Sequence, residues 1–330
     1  MQEIQEIVKK IQKDLNYVDE LILSFSQGRS PLIQEISHHL IRSGGKRIRP
    51  ILLILSAKIC GLENDKRIYN LASAVELIHT ATLLHDDVVD NSEIRRGKKT
   101  SSAIWDNKFS ILVGDFLFAT AFEQMVKSNK MEALQLLANA SSVIADGEVM
   151  QLESSHDLSI TIDKYQEIIY AKTAILFSAS TEVGGIIAEA NNMQLQALKD
   201  FGKNLGMVFQ IVDDILDYCS KEEVIGKDLG NDFFEGKVTL PIIYLLSNAN
   251  HAQKEFIKKK FIDNLQNNIR NKDDFKEILQ LIEQYKALDF CKKIAQEFSF
   301  QAKQNLKIFA DSEHYQDLVS ILDYSLKRLY

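Results

Sequence analysis

Two stretches of the chain carry acids in a number and spacing that can do chemistry. Leu83-Leu84-His85-Asp86-Asp87-Val88-Val89-Asp90 closes an apolar run, and Phe209-Gln210-Ile211-Val212-Asp213-Asp214-Ile215-Leu216-Asp217 repeats the Asp-Asp-x-x-Asp pattern in a second one. Carboxylates this close repel one another and resist burial, so a positive charge must offset them. Four residues are one helical turn, roughly 6 Å along the axis, so Asp86 and Asp90 leave one helix face, as do Asp213 and Asp217. One such cluster equally describes a solvated helix end; two inside apolar helices favour a divalent cation. Hard carboxylate oxygens suit magnesium, usually bound by one or two carboxylates together with substrate phosphates. Two such helices facing each other would clamp a diphosphate through bridging metal ions.

Cations lie where such an anion would need them. Gly44-Gly45-Lys46-Arg47-Ile48-Arg49-Pro50 precedes an apolar helix expected from Ile51 to Cys60. Glycines bring backbone amides near an anion and a helix start favours negative charge, although the segment is equally a basic surface turn. Arg95 and Arg96, with Lys98 and Lys99, follow the first acids; they either grip phosphate bidentately or pair with the aspartates. Lys172-Thr173 interrupts an apolar run, where the lysine either snorkels out or meets an anion. Glycines with Lys227 and Lys237 make a further phosphate-competent loop after the second acids. Counting back from Asp86 at about 100° per residue, Thr82, His79 and Val75 share its face, which puts His79 with the acids.

The elements that must position these residues read as helices throughout. Residues 1 to 25 form an amphipathic first helix, Ser30-Pro31 opens another, and 67 to 90 lead into the first acids. Helices are expected at about 103–127 and 131–154, with Phe109, Phe116, Phe118, Phe122 and Met125 as core. Asp163 is expected to cap a helix that Gly184-Gly185 kinks, and the second acid helix spans about 194–218. From 242 onward helix follows helix, with no evident chemistry. Alternating β-branched runs are absent. The fold class is therefore all-α: one large many-helix bundle over 1–330 with a central cavity.

Composition bounds the function. The 330 residues include only three prolines and no linker-like tract, and 46 acids against 39 Lys and Arg give a net charge of −7, which argues against a nucleic-acid surface. Three cysteines without paired spacing suggest reduced thiols and a cytoplasmic protein. No stretch is expected to span a bilayer.

The ordered set from Gly44–Pro50 through His79, the first acids, Arg95-Arg96-Gly97, Lys172-Thr173, Gln210, the second acids and Gly226-Lys227-Asp228 to Gly236-Lys237 resembles the trans-type isoprenyl diphosphate synthases, the polyprenyl synthetase family. The resemblance covers nearly the whole chain. It implies an isoprenoid-synthase fold and a Mg²⁺-dependent prenyltransferase that condenses isopentenyl diphosphate head-to-tail with an allylic diphosphate. It implies that Lys46, Arg49, His79 and Arg96 bind isopentenyl diphosphate, and that Arg95, Lys172, Thr173, Gln210, Lys227 and Lys237 hold the allylic diphosphate. Asp86, Asp90 and Asp213 would contact magnesium, supported by Asp87, Asp214 and Asp217, with Lys172 joining the acids in catalysis. It also implies a homodimer, with transient membrane contact when an oily product leaves.

Residues four and five positions before Asp86 lie about 6–7.5 Å along its helix, and here they are the small Thr82 and Ala81. In the family, bulky aromatics there stop the chain early, so a long all-trans product is expected, octaprenyl within a hexaprenyl-to-nonaprenyl range. Phe116, Phe118, Phe122 and Met125 are candidates for the floor. A short-chain farnesyl or geranylgeranyl synthase is the alternative. A terpene cyclase would not need the Gly44–Pro50 cradle. Glu35-x-x-His38, Glu76-x-x-His79 and Glu153-x-x-His156 mimic di-iron carboxylate ligands but leave both acid motifs unexplained. A non-catalytic partner subunit would have lost acids that are intact here.

Overall fold

The computed structural model describes residues 2–27, 29–42, 45–95, 97–219, 229–267 and 270–329. The described residues are helical almost throughout. The first helices are α1 (Gln2–Lys10), α2 (Gln12–Phe25), α3 (Pro31–Arg42), α4 (Ile48–Ile59) and α5 (Lys66–Val89). A two-residue hairpin, β1 (Ile94–Arg95) and β2 (Lys98–Lys99), precedes α6 (Ser101–Trp105), α7 (Asn107–Lys127), α8 (Met131–Glu153) and α9 (Ile162–Ile169). A π-helical turn, Tyr170–Ala174, leads into α10 (Ile175–Ile187) and α11 (Asn192–Asp217). The remainder is α12 (Asn231–Phe234), α13 (Leu240–Asn248), α14 (His251–Asn267), α15 (Lys272–Gln284), α16 (Ala287–Leu306) and α17 (Tyr315–Lys327).

The chain forms two compact units. One comprises Met1–Ser141, Leu176–Gly202 and Lys303–Tyr324; the other comprises Ser142–Ile175, Lys203–Ala302 and Ser325–Tyr330. In the first unit α5 is the central helix, packed against α2, α4 and α7. Its residues Leu71–Ile78, Ala81 and Leu84 are buried, and the Asp65 side chain caps it by accepting from the Arg67 amide at 2.8 Å. Close packing of α7 depends on Gly114, where a Cβ would lie 2.3 Å from His85 Nε2. In the second unit a Cβ on Gly147 of α8 would lie 2.8 Å from the Lys172 amide nitrogen, so α8 runs tightly past the π turn.

Several expectations are corrected. The first helix breaks at Ile11, where φ −108° and ψ 22° leave the helical region. The helix expected from 103 starts as α6 and is interrupted at Asp106, whose φ of 89° is left-handed and whose side chain caps α7. Thr161, not Asp163, caps α9. Gly184-Gly185 lies within the unbroken α10; a Cβ at Gly184 would lie 2.5 Å from the Leu53 carbonyl oxygen, so the glycine serves close packing on α4. Met125 is core, but Phe109 and Phe122 are exposed. The expectation that no stretch could span a bilayer does not hold for α7, which is long and apolar enough by length and composition, with under half of its apolar window buried.

Candidate active site

The first acids sit where α5 ends. Asp86 is half-buried, Asp90 is the C-cap residue with its amide bonded to the Asp86 carbonyl at 2.8 Å, and Asp87 points into the protein. The hairpin returns Arg95 to Asp87: Arg95 Nε donates to Asp87 Oδ1 at 2.7 Å, with the carboxylate only 3% exposed. Burial pushes the Asp87 carboxyl above its ordinary value; Arg95 pulls it down and the charges of Asp86 and Asp90 push it up again. Of the two open fates for Arg95, the structure shows pairing with an aspartate. Arg96 lies outside the described residues.

At the start of α4 the three cations separate by role. Arg47, at φ 49°, donates to Glu76 Oε1 at 2.7 Å and Asp19 Oδ1 at 3.1 Å, which binds it into the structure. Glu76, one of the acids that mimic a di-iron ligand, is committed to that ion pair. Lys46 reaches the Tyr324 hydroxyl and lies 4.7 Å from that ring's centroid. Arg49 stacks on Phe177, 4.5 Å from the ring centroid. The half-buried His79 carbonyl accepts from Thr82 Oγ1 at 2.8 Å, Thr82 is half-buried, and Ala81 is fully buried.

In the second unit the acids of α11 have distinct partners. Asp214 is buried: Tyr165 Oη donates to its Oδ2 at 2.6 Å and Gln210 Nε2 to its Oδ1 at 2.8 Å. Gln210 Oε1 in turn accepts from Thr173 Oγ1 at 2.8 Å, so the π turn and the acid helix share one polar network. Burial raises the Asp214 carboxyl to about 7, against the pull of its two donors and with the push of Asp213 and Asp217. Asp217 caps the next short helix, accepting from the amides of Asn231 at 3.2 Å and Asp232 at 2.9 Å. Asp213 is half-exposed and accepts from Arg328 Nη2 at 2.5 Å. Lys172 pairs with Glu148 at 2.7 Å, so it meets an anion of the protein itself. Lys237 pairs with Glu235 at 2.8 Å and its amide bonds to the Asp232 carbonyl. Lys227 lies outside the described residues.

The structure thus joins Thr173, Gln210 and Asp214 in one network, and Arg95 with Asp87. Tyr165, Glu148, Asp232, Phe177, Tyr324 and Arg328 escaped the sequence reading. Asp232 is half-buried near Asp217 and Asp214, and lost hydration first, then those charges, hold its carboxyl well above the ordinary value. Arg328 lies in the segment expected to carry no chemistry. Its cationic terminal Lys327-Arg328 pair was the signal available, and its contact with Asp213 spans 115 residues.

Residues 30–282 match the family model described as polyprenyl synthetase. The chain is 37% identical over 98% of its length, and 98% of the relative's, to an all-trans-nonaprenyl-diphosphate synthase (geranyl-diphosphate specific) of Rhodobacter capsulatus. It is 36% identical over 99% of its length, and 98% of the relative's, to an octaprenyl diphosphate synthase of Haemophilus influenzae. A crystal structure of a decaprenyl diphosphate synthase from Rhodobacter capsulatus matches with a TM-score of 0.94 at 41% identity, covering 99% of each chain. That of a polyprenyl synthase from Caulobacter crescentus, complexed with calcium and isoprenyl diphosphate, matches with a TM-score of 0.92 at 42% identity, covering 98% of this chain and 97% of that one. Paired acid motifs, cationic partners and an isoprenoid-synthase fold agree with these likenesses: the chain is a prenyltransferase and belongs to the polyprenyl synthetase family.

Proposed function

We propose that the chain is an all-trans polyprenyl diphosphate synthase that adds isopentenyl diphosphate head-to-tail to an allylic diphosphate and ends at about octaprenyl length. The carrying observation is that the cations fall into two sets by what they meet. Lys46 and Arg49, at the start of α4, lie against aromatic rings; Arg95, in one unit, and Lys172 and Arg328, in the other, pair with Asp87, Glu148 and Asp213. Two diphosphate substrates need two such sets, whereas a cyclase handles one.

The donor chemistry fits a divalent ion. Asp86, Asp90 and Asp213 offer hard oxygens on partly exposed helix faces, and at Asp213 a guanidinium already stands as the counter-cation. In this reading those three acids hold Mg²⁺, with Asp87, Asp214 and Asp217 fixing the backbone and neighbours around them. Bound there, the metal supplies positive charge to the departing diphosphate.

The residues of the chain do the rest. Arg95, Lys172, Thr173, Gln210, Lys227 and Lys237 hold the allylic diphosphate, and Lys172 exchanges Glu148 for a phosphate oxygen as it does so. Breaking the allylic C–O bond puts negative charge on the leaving group, which preset cations stabilise in a site of low dielectric. Lys46, Arg49, His79 and Arg96 hold isopentenyl diphosphate so that its alkene meets the allylic cation, replacing a rare collision. The new C–C bond leaves a tertiary cation that loses a proton to the departed diphosphate. Apolar walls keep water from quenching either cation.

Product length follows from small side chains below the first acids: Ala81 is fully buried and Thr82 half-buried on α5. The octaprenyl and nonaprenyl relatives support a long product. A relative named geranylgeranyl diphosphate synthase, from Saccharolobus solfataricus, is 35% identical over 89% of this chain, which keeps short products as the competing outcome. We assign a homodimer on the face of α7 that exposes Phe109, Leu112, Phe122 and Val126 at helical spacing, a pattern that suits burial by a second copy. A cytoplasmic enzyme that touches membrane only to release product completes the proposal. The test is incubation with labelled isopentenyl diphosphate, farnesyl diphosphate and Mg²⁺, followed by sizing of the dephosphorylated products. A ladder ending near eight units supports the reading; an end at three or four units makes the enzyme a short-chain synthase.

A further inference from the structure

At the end of α5 opposite the first acid motif, the α4–α5 loop meets the turn that opens α17. Glu63 lies in that loop, and Glu313 and His314 immediately precede the helix. Their ligand atoms all lie within 4.8 Å of one another. His314 Nε2 is 3.5 Å from a Glu63 carboxylate oxygen, Oε1, and 3.7 Å from Glu313 Oε1. These separations are too long for hydrogen bonds. They are close to the spacing of two ligands on one tetrahedral ion, since bonds of about 2.0–2.2 Å put neighbouring donors about 3.4 Å apart.

The surrounding groups are arranged as a metal-binding histidine requires. Both ring nitrogens of His314 are buried without a hydrogen-bond partner. Nδ1 faces Asp317 Oδ2 at 3.5 Å, so a carboxylate stands on the side where a metal-bound imidazole would give its second N–H once drawn closer. Asp317 is 94% buried by the 6% exposure of its side chain, and its other oxygen is held by Lys10 at 2.6 Å. Lys58 takes Glu63 Oε2 at 2.8 Å, leaving Oε1 toward His314. Among the described residues the four carboxylates Asp14, Glu63, Glu313 and Asp317 meet the two ammonium groups of Lys10 and Lys58, an excess of two negative charges around the imidazole. Glu313 is 84% exposed, which opens the cluster to ions from solvent.

We propose that Glu63, Glu313 and His314 form a binding site for a zinc-class divalent ion that fastens the start of α17 to the α4–α5 loop. One nitrogen and two carboxylate donors, with water as the fourth, suit zinc rather than magnesium, which prefers six oxygens. The ion closes a loop of about 250 residues and steadies the helix whose Tyr324 meets Lys46.

The test titrates zinc into chelator-treated full-length protein with magnesium in large excess, and counts bound zinc by equilibrium dialysis. The same titration with cobalt reads tetrahedral binding from its visible absorption. One tightly held equivalent is expected, weakened at least about tenfold by His314→Gln and by Glu313→Gln, and about 10–100-fold by Asp317→Asn. Glu313 is a surface residue, so its variant reads binding without risk to folding. Zinc binding that these substitutions leave unchanged, or no retained equivalent, overturns the proposal. Prenyl transfer by Glu313→Gln at saturating magnesium stays at the wild-type rate, which separates this result from the fate of the proposed synthase reaction.

Discussion

Tyr165→Phe removes one hydroxyl and leaves in place the buried ring that α9 carries. The hydroxyl is one of two donors to the buried Asp214, at 2.6 Å, so its loss leaves Oδ2 without that donor. Leaving a buried acceptor unsatisfied costs about 1–3 kcal/mol, more when it is charged. The unfolding free energy is therefore expected to fall by that amount, read as a lower urea midpoint with an unchanged slope. Asp214→Asn changes the arithmetic: Tyr165 and Gln210 both donate, and an amide offers only one acceptor, so one donor faces an NH₂ group. In that background Tyr165→Phe relieves the conflict. The double-mutant cycle should show a coupling of about 1–3 kcal/mol in stability, and prenyl transfer should fall in both single variants because the network reaches Gln210 and Thr173. Additivity within about 0.5 kcal/mol, or wild-type turnover in Tyr165→Phe, would refute the network's role.

Ala81→Phe should shorten the product to about farnesyl or geranylgeranyl length, measured by reversed-phase chromatography; unchanged length rejects Ala81 as a wall. Arg328→Met removes the guanidinium that occupies Asp213, so half-maximal activity should need severalfold less Mg²⁺; an unchanged or higher requirement contradicts competition at that acid. Gly202→Ala places a Cβ 2.2 Å from Thr181 Oγ1 and 2.6 Å from the Phe177 carbonyl oxygen, and overpacking of this kind costs about 1–3 kcal/mol, readable as a lower Tm. Chelation of divalent ions should abolish prenyl transfer and added Mg²⁺ should restore it; activity that survives chelation argues against metal at the acids.

The acid motifs were legible because three carboxylates in an apolar run contradict their surroundings, and such a local conflict marks a site. Their helices were legible too: the structure places them at Lys66–Val89 and Asn192–Asp217, close to the 67–90 and 194–218 read from periodicity. What the acids bind within the protein was not. Tyr165 reaches Asp214 across 49 residues, and nothing local in Tyr165-Gln166-Glu167-Ile168 announces a partner so distant. The π turn at Tyr170–Ala174 has no period of its own in sequence, yet it carries Lys172 and Thr173. Phe109 and Phe122 show the limit of hydropathy: it marks a face as apolar without saying what covers it.

The most direct test pairs the elongation assay with single substitutions at each motif. Wild-type protein given labelled isopentenyl diphosphate, farnesyl diphosphate and Mg²⁺ should build all-trans products of about eight isoprene units, and Asp86→Ala and Asp213→Ala should each lose that incorporation by orders of magnitude. Failure of the wild type to consume isopentenyl diphosphate, or wild-type incorporation by either variant, contradicts the account.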